Sequence, residues 1–286
     1  METFDALLPQ EMARKAERIG VTKAASDWAT TFVLSILAGA FISLGAIFAT
    51  TTLAGSTDMP YGVARLLAGL TFSLGLVLVV VAGAELFTGN NLIVMAWAGR
   101  RVSTLRLLRN WAIVYVGNFV GAIGTAAIVY VSKQYEFGHG AVGDAALTIA
   151  NAKTGLGFTQ AIALGAMCNA LVCLAVWLCY SARTTTDKVL SIIPPIAAFV
   201  AVGFEHSVAN MYFIPFGLFV KHSSFASTVP TPNLTWTHFL WSNLVPVTIG
   251  NIIGGGLMVG AVYWFVYLRG ERVQEQATSA GAVPVD

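Results

Sequence analysis

Three ionisable side chains interrupt the long apolar stretches of this 286-residue sequence: Glu85, Glu205 and His206. An ionisable group at membrane depth is costly to place there, so each of the three is a functional candidate. Histidine differs from the two glutamates because it changes charge near neutral pH. The chemistry to expect at His206 is therefore attraction of an anion or donation of a proton to it.

The two glutamates lie in copies of one short pattern, Gly-x-Glu-x-x-x-x-Asn, which runs from Gly83 to Asn90 and again from 203 to 210. A helix broken inside a membrane leaves backbone N–H groups that lipid cannot satisfy. A carboxylate beside the break can accept those bonds, so we predict that Glu85 and Glu205 are structural. A proton relay through them is the alternative.

His206 has Leu86 as its counterpart in the first copy, so a duplicated scaffold does not explain it. We therefore predict that His206 lies on a permeation path, with Thr88 in the other break as its hydrogen-bond partner. Lys153, in the loop before the fourth span, either anchors the chain at the interface or raises the local anion concentration. Phe72 and Phe199 are either packing residues or apolar constrictions, and Leu76 shares a helix face with Phe72.

The amino-acid composition indicates that lipid surrounds much of the protein. Of all residues, 56% are hydrophobic and only 10% are charged, whereas a soluble domain carries about 25% charged residues. Uncharged stretches of about 20 residues suit a hydrocarbon core of about 30 Å. The sequence predicts an all-α integral membrane protein with six transmembrane helices, of which the second (66–99) and the fifth (189–220) are broken.

The spans form two copies of a three-helix unit, at about 28–132 and about 154–269. Gly117-Asn118-x-x-Gly121 recurs as Gly250-Asn251-x-x-Gly254, and the weaker pair Gly39-Ala40 and Gly165-Ala166 relates the first and fourth spans. Each copy crosses the membrane an odd number of times, three, so the second copy starts on the opposite side of the membrane. The two copies therefore form an inverted repeat.

Charge sets the expected orientation. Twelve Lys and Arg residues fall on the side of both termini and four on the other, which places both termini in the cytoplasm. Residues 1–27 are expected to form a cytoplasmic amphipathic segment and 270–286 a disordered cytoplasmic tail. The sequence contains no P-loop, zinc-type cluster, hydrolase elbow or dinucleotide fingerprint, so neither an enzyme nor a cofactor is expected.

Three stretches strongly resemble the formate/nitrite transporter family, at 83–88, 203–211 and 247–255, and the resemblance covers about 4–269. Residues 4–9 and 171–177 are similar to its bacterial formate-channel branch. The resemblance implies a homopentamer of aquaporin-like protomers, each with its own pore. It implies that His206 is the central pore histidine with Thr88 as its partner. The apolar constrictions it implies are Phe72, Leu76, Leu86, Phe87 and Phe199, and the polar residues of the pore and vestibules are Lys153, Asn169, Asn210 and Asn251.

The function expected from this resemblance is bidirectional, pH-dependent passage of small monovalent anions, formate first, across a bacterial inner membrane. Glu85 and the run 152–154 look more like the nitrite branch, so nitrite remains an alternative. Acetate, hydrosulfide and protons are further expected partners. A neutral-solute channel of the aquaporin kind and a membrane enzyme using Glu85, Glu205 and His206 are the rival classes, and no nucleic-acid partner is expected.

Overall fold

The computed structural model describes residues 6–271, and the regular elements of this part of the chain are helices. Residues 1–5 of the expected amino-terminal segment and 272–286 of the expected carboxyl-terminal tail lie outside the described residues. The first half consists of a lead-in helix, one long helix, a helix that stops and restarts, and another long helix. These are α1 (Pro9–Ala25), α2 (Trp28–Leu53), α3 (Tyr61–Ala82), α4 (Phe87–Asn90), α5 (Val94–Ala98) and α6 (Thr104–Val131).

The second half repeats this order. Its elements are α7 (Ala141–Thr154), α8 (Phe158–Ser181), α9 (Thr185–Ala201), α10 (Ser207–Lys221) and a last helix, His238–Tyr267. The last helix contains two π-helical stretches around α11 (Val245–Ile252), and it ends as α12 (Val262–Tyr267). The sequence did not predict α7, which stands before α8 as α1 stands before α2.

Five of the described helices are long and apolar enough to cross a membrane by length and composition: α2, α3, α6, α8 and the last helix. The pair α9 and α10 supplies the sixth, interrupted crossing. Both predicted breaks are present: Gly83, with φ of +82°, directly follows α3, and Gly203, with φ of +81°, lies two residues after the end of α9. Glycine adopts this left-handed conformation without steric penalty, which explains why each broken helix stops there.

Glycine also lets the long helices of each half touch. A Cβ added at Gly121 in α6 would lie 2.0 Å from the carbonyl oxygen of Ile36, and one at Gly254 would lie 2.0 Å from that of Ala166. The two contacts are equivalent, so Ile36 of α2 corresponds to Ala166 of α8. The predicted correspondence of Gly39 with Gly165 is therefore wrong by about one helical turn.

The lead-in helix α1 packs on the ends of the bundle. Its buried Met12 and Ala16 join a cluster that contains Trp177 of α8 and Leu268 after the last helix. The Lys15 Nζ donates to the carbonyl of Tyr180 at 2.7 Å. The expected amphipathic segment thus covers one end of the protein through its apolar face.

Candidate transport site

Thr88 and His206 meet at the centre of the fold, one from each broken helix. Thr88 Oγ1 and His206 Nε2 are 3.0 Å apart, and both side chains are buried, with 0% and 3% of their surface exposed. The backbone N–H of Ala209 donates to His206 Nδ1 at 3.0 Å, which caps α10. Because Nδ1 accepts, the neutral ring carries its proton on Nε2 and donates it to the Thr88 hydroxyl. The predicted partnership of these two residues is present in the geometry.

A polar cluster braces the first break. Lys23 Nζ donates to Glu85 Oε1 at 2.7 Å, and Asn90 Nδ2 donates to Glu85 Oε2 at 2.6 Å. Asn90 Nδ2 also donates to Asn110 Oδ1 at 3.0 Å, and Asn110 Nδ2 donates to the carbonyl of Lys23 at 3.1 Å. The cluster fastens α1 and α6 to the interrupted chain between α3 and α4.

The same cluster recurs at the second break. Lys153 Nζ donates to Glu205 Oε1 at 2.8 Å, and Asn210 Nδ2 donates to Glu205 Oε2 at 2.7 Å. Asn243 Oδ1 accepts from Asn210 at 2.7 Å, and Asn243 Nδ2 donates to the carbonyl of Lys153 at 2.9 Å. Lys153 and Asn210, predicted at the pore and vestibules, therefore support the break. The sequence predicts no role for Lys23, Asn110 or Asn243, although Asn110 and Asn243 precede the two matched Gly-Asn motifs at the same distance.

Asparagines, rather than the glutamates, satisfy the broken backbone at each interruption. Asn118 Nδ2 donates to the carbonyl of Glu85 at 2.9 Å, and its Oδ1 accepts from the backbone N–H of Phe87 at 2.9 Å. Asn251 does the same for the carbonyl of Glu205 at 3.0 Å and for the N–H of Ser207 at 2.9 Å. An asparagine suits this place because its amide both donates and accepts.

The structure corrects the expected partners of the carboxylates. Glu85 and Glu205 were expected to accept backbone N–H bonds. Instead, the bonds described above reach their oxygens from lysine and asparagine side chains. Both glutamates remain beside the breaks, as predicted, and link the broken helices to α1 and α7.

Asn169 holds the chain around Thr88. Its Nδ2 lies 3.2 Å from the carbonyl oxygen of Thr88, 2.8 Å from Asn91 Oδ1 and 2.7 Å from the carbonyl oxygen of Asn251. The thiol of Cys173 also donates to the Thr88 carbonyl, at 3.3 Å. Asn169 is fully buried, so it positions the backbone that carries the central hydroxyl.

Two cavities approach the central pair from opposite ends. The larger, on the α7 side, has a volume of about 740 Å³, and the residues that line it include Arg65, Lys153, Phe199, Glu205 and His206. The smaller, on the α1 side, has a volume of about 320 Å³, and the residues that line it include Lys23, Leu76, Glu85 and Leu86. Within residues 6–271 no group of three or more His, Cys, Asp or Glu is placed to hold a metal ion.

Apolar side chains stand on either side of the pair. The rings of Phe72 and Phe199 are 5.7 Å apart, edge to face, and Phe199 stacks on His206 at 6.0 Å. Both phenylalanines line the α7-side cavity, and the buried Leu76 and Leu86 line the α1-side cavity. The fifth predicted constriction residue, Phe87, packs its ring edge-on against Tyr115 of α6 at 4.9 Å.

An inverted repeat of membrane helices, with a buried polar pair between its broken helices and a cavity on either side of it, defines a membrane transport protein. The comparisons with known proteins agree. The family described as Formate/nitrite transporter matches residues 10–265. The chain belongs to the formate/nitrite transporter family, and is a transporter rather than an enzyme.

Relatives and solved structures of this family match most of the chain. The formate channel FocA of Escherichia coli is 46% identical over 276 residues, which cover 93% of this chain and 96% of that protein. The probable formate transporter of Methanothermobacter thermautotrophicus is 38% identical and covers 91% of this chain and 97% of its own length. A solved structure described as a pentameric formate channel with formate bound has a TM-score of 0.80 at 44% identity, over 85% of this chain and 98% of that one.

Proposed function

We propose that this protein passes small monovalent anions, formate first, through each protomer of a homopentamer. The observation that carries the proposal is the buried Thr88–His206 pair: the α7-side cavity reaches His206, and the α1-side cavity reaches Gly89, the neighbour of Thr88. The similarity of the chain to formate channels supports the choice of formate. The large apolar side chains exposed on the outer faces of the helices fit lipid or neighbouring protomers.

The apolar side chains on both sides of the pair create the barrier to an anion. Moving an unpaired carboxylate into such surroundings costs far more than a protein can offset by packing. The Nε2–H of neutral His206 offers a hydrogen bond in the middle of this barrier, in competition with the Thr88 hydroxyl. We infer that an anion displaces Thr88 from His206 during its passage.

At low pH we infer a second mode of passage, in which the solute crosses as a neutral acid. When His206 also binds a proton at Nδ1, the ring is an imidazolium and loses the bond from Ala209. Its Nε2 proton then moves to a carboxylate oxygen, which leaves a neutral acid and a neutral ring protonated at Nδ1. The neutral acid crosses the apolar constriction without the cost of a buried charge. Passage at low pH is therefore coupled to protons.

The orientation follows from charge. We propose that α1 and both termini face the cytoplasm of a bacterial cell, because most Lys and Arg residues fall in the termini and in the loops on the same side of the membrane. The α1-side cavity is then the cytoplasmic mouth and the α7-side cavity the outer mouth.

Formate uptake into proteoliposomes tests the role of His206. His206→Phe and His206→Asn both remove the titrating ring, so both are expected to abolish the pH-dependent import mode. Asn at this position still caps α10, which separates loss of titration from loss of the cap. Full pH dependence in His206→Asn would show that His206 is not the proton donor.

A competition uptake assay identifies the preferred solute. Formate, nitrite, acetate and hydrosulfide are each offered against labelled formate in the same vesicles, and formate is expected to compete best. Stronger competition by nitrite would assign the protein to nitrite transport. Anion currents in a planar bilayer exclude a neutral-solute channel, because such a channel carries none.

A further inference from the structure

The charged residues around the α7-side cavity are not equally available to an anion. The ammonium of Lys153 is paired with Glu205 at 2.8 Å, and the Lys153 side chain is only 15% exposed. A cation already matched by a carboxylate at this distance adds little attraction for a second anion. Asp144, which also lines the cavity, accepts a hydrogen bond from Ser227.

Arg65 is held differently. It lies in the first turn and a half of α3 and lines the same cavity. Its Nε donates to the carbonyl of Ala201 at 3.3 Å, and its Nη2 donates to the carbonyl of Val200. Within residues 6–271, the hydrogen bonds of this guanidinium go to these two carbonyls, and none of the ion pairs includes it.

These two contacts also fix the orientation of the guanidinium. The carbonyls belong to the last turn of α9, which ends at the second helix break, and the Val200 carbonyl also accepts the backbone N–H of Gly203 at 3.1 Å. A guanidinium has five N–H groups in one plane, so two bonds to the backbone leave three. Because Arg65 borders the cavity, these remaining donors form a positively charged fork of fixed direction.

We propose that Arg65 is an anion-binding residue of the α7-side cavity, which takes a planar oxyanion with two oxygens before it reaches His206. A guanidinium fork binds such a group through two parallel hydrogen bonds, which an ammonium cannot do. The apolar walls formed by Phe72 and Phe199 strengthen this interaction because they exclude water. The inference deepens the proposed function and rests on it.

The site distinguishes solutes by shape. Formate, acetate and nitrite each present two oxygens to the fork, whereas hydrosulfide presents a single charged atom. The site also belongs to one side of the membrane. At the 120-residue offset that relates Glu85 to Glu205, Arg65 corresponds to Thr185, which carries no charge.

Sided transport measurements test this assignment. Concentration dependence of formate entry is measured from the α7 side and from the α1 side for Arg65→Gln, with Lys133→Gln as the matched control. Lys133 follows α6 on the same side, and its side chain is 67% exposed and borders neither cavity. Arg65→Gln is expected to raise the half-saturation concentration for entry from the α7 side about tenfold, as the loss of a bidentate ionic contact implies. Lys133→Gln is expected to leave it unchanged.

A second variant keeps the charge but removes the fork. Arg65→Lys is expected to raise the half-saturation concentration for formate about fivefold and to leave that for hydrosulfide within twofold. An equal change for both anions, or none for either, would overturn the planar-anion site. This variant also carries the test if Arg65→Gln does not assemble, since the end of α9 then lacks its partner.

The outcomes separate the two proposals. If the unaltered protein does not transport formate at all, the proposed function fails. If it does, but Arg65→Gln and Lys133→Gln behave alike, only the assignment of Arg65 fails.

Discussion

Lys23 and Lys153 occupy equivalent positions in the two repeats, and each donates its ammonium to the glutamate at its own helix break. The distances are 2.7 Å to Glu85 and 2.8 Å to Glu205. Both pairs are shielded from water, but Lys153 and Glu205 are the more enclosed, with side chains 15% and 6% exposed against 27% and 15% for the other pair. The breaks are therefore fixed by ion pairs that reach them from the preceding helices, α1 and α7.

Removing one partner of a buried pair leaves an uncompensated charge, which typically costs about 3–5 kcal/mol. We expect Lys153→Met to lower the unfolding temperature in detergent substantially, and Lys23→Met to lower it less because Glu85 retains more contact with water. Lys133→Met is the control, since its pair with Glu136 is exposed and such pairs contribute at most about 1 kcal/mol. Equal unfolding temperatures for all three variants would show that neither pair supports its break.

The contrast between Glu85 and Lys23 shows what the sequence could predict. Both breaks were visible because Gly, Glu and Asn recur within eight residues. Lys23 lies 62 positions before Glu85, in a segment whose charges resemble those of any amphipathic helix. No local pattern links the two, although Lys23 and Lys153 share the 130-residue offset of Ile36 and Ala166.

The register in which α2 aligns with α8 was the second feature that the sequence could not predict. Small residues recur at nearly every turn of α2 and α8, so several alignments bury them equally well. Only the backbone contacts of Gly121 and Gly254 select Ile36 and Ala166 as equivalents. The central pair was predictable because His206 breaks the symmetry of the repeats, whereas the direction of its hydrogen bonds needed the position of Ala209.

Thr88 is expected to act through its hydroxyl. In Thr88→Val, the buried Nε2–H of His206 loses its acceptor, and an unpaired buried donor costs about 1–3 kcal/mol. We expect formate transport to fall at least severalfold in this variant, while Thr88→Ser keeps most of it because the hydroxyl remains. Initial uptake rates in vesicles with matched protein content give the comparison. Transport by Thr88→Val equal to that of the unaltered protein would mean that the pair is not on the path.

Gly121 and Gly124 of α6 provide a matched test of helix packing. A Cβ at Gly121 would lie 2.0 Å from the Ile36 carbonyl oxygen, whereas a Cβ at Gly124 meets nothing within 4 Å. Gly121→Ala must push α2 and α6 apart, so we expect a loss of folded protein measured by size-exclusion chromatography. Gly124→Ala is expected to be neutral or stabilising by up to about 1 kcal/mol, because alanine is the better helix former. Similar yields for both would contradict the close approach.

Tyr115 of α6 and Thr248 of the last helix connect the repeats at equivalent positions, because each lies three residues before the asparagine of its Gly-Asn motif, at 118 and 251. Their hydroxyl oxygens are 2.8 Å apart, and the Tyr115 ring supports Phe87 at 4.9 Å. Tyr115→Phe keeps the ring and removes the bond, and Thr248→Val removes it from the other side.

Each single variant is expected to lower the free energy of unfolding by about 1 kcal/mol, and the double variant by clearly less than the sum of the two. The four proteins are compared by thermal unfolding in one detergent. Strictly additive losses would show that the two hydroxyls do not interact. Formate uptake in Tyr115→Phe should keep the pH profile of the unaltered protein, because Phe87 retains its ring contact and His206 is untouched. A shifted profile would instead place Tyr115 in the chain of groups that controls the central histidine.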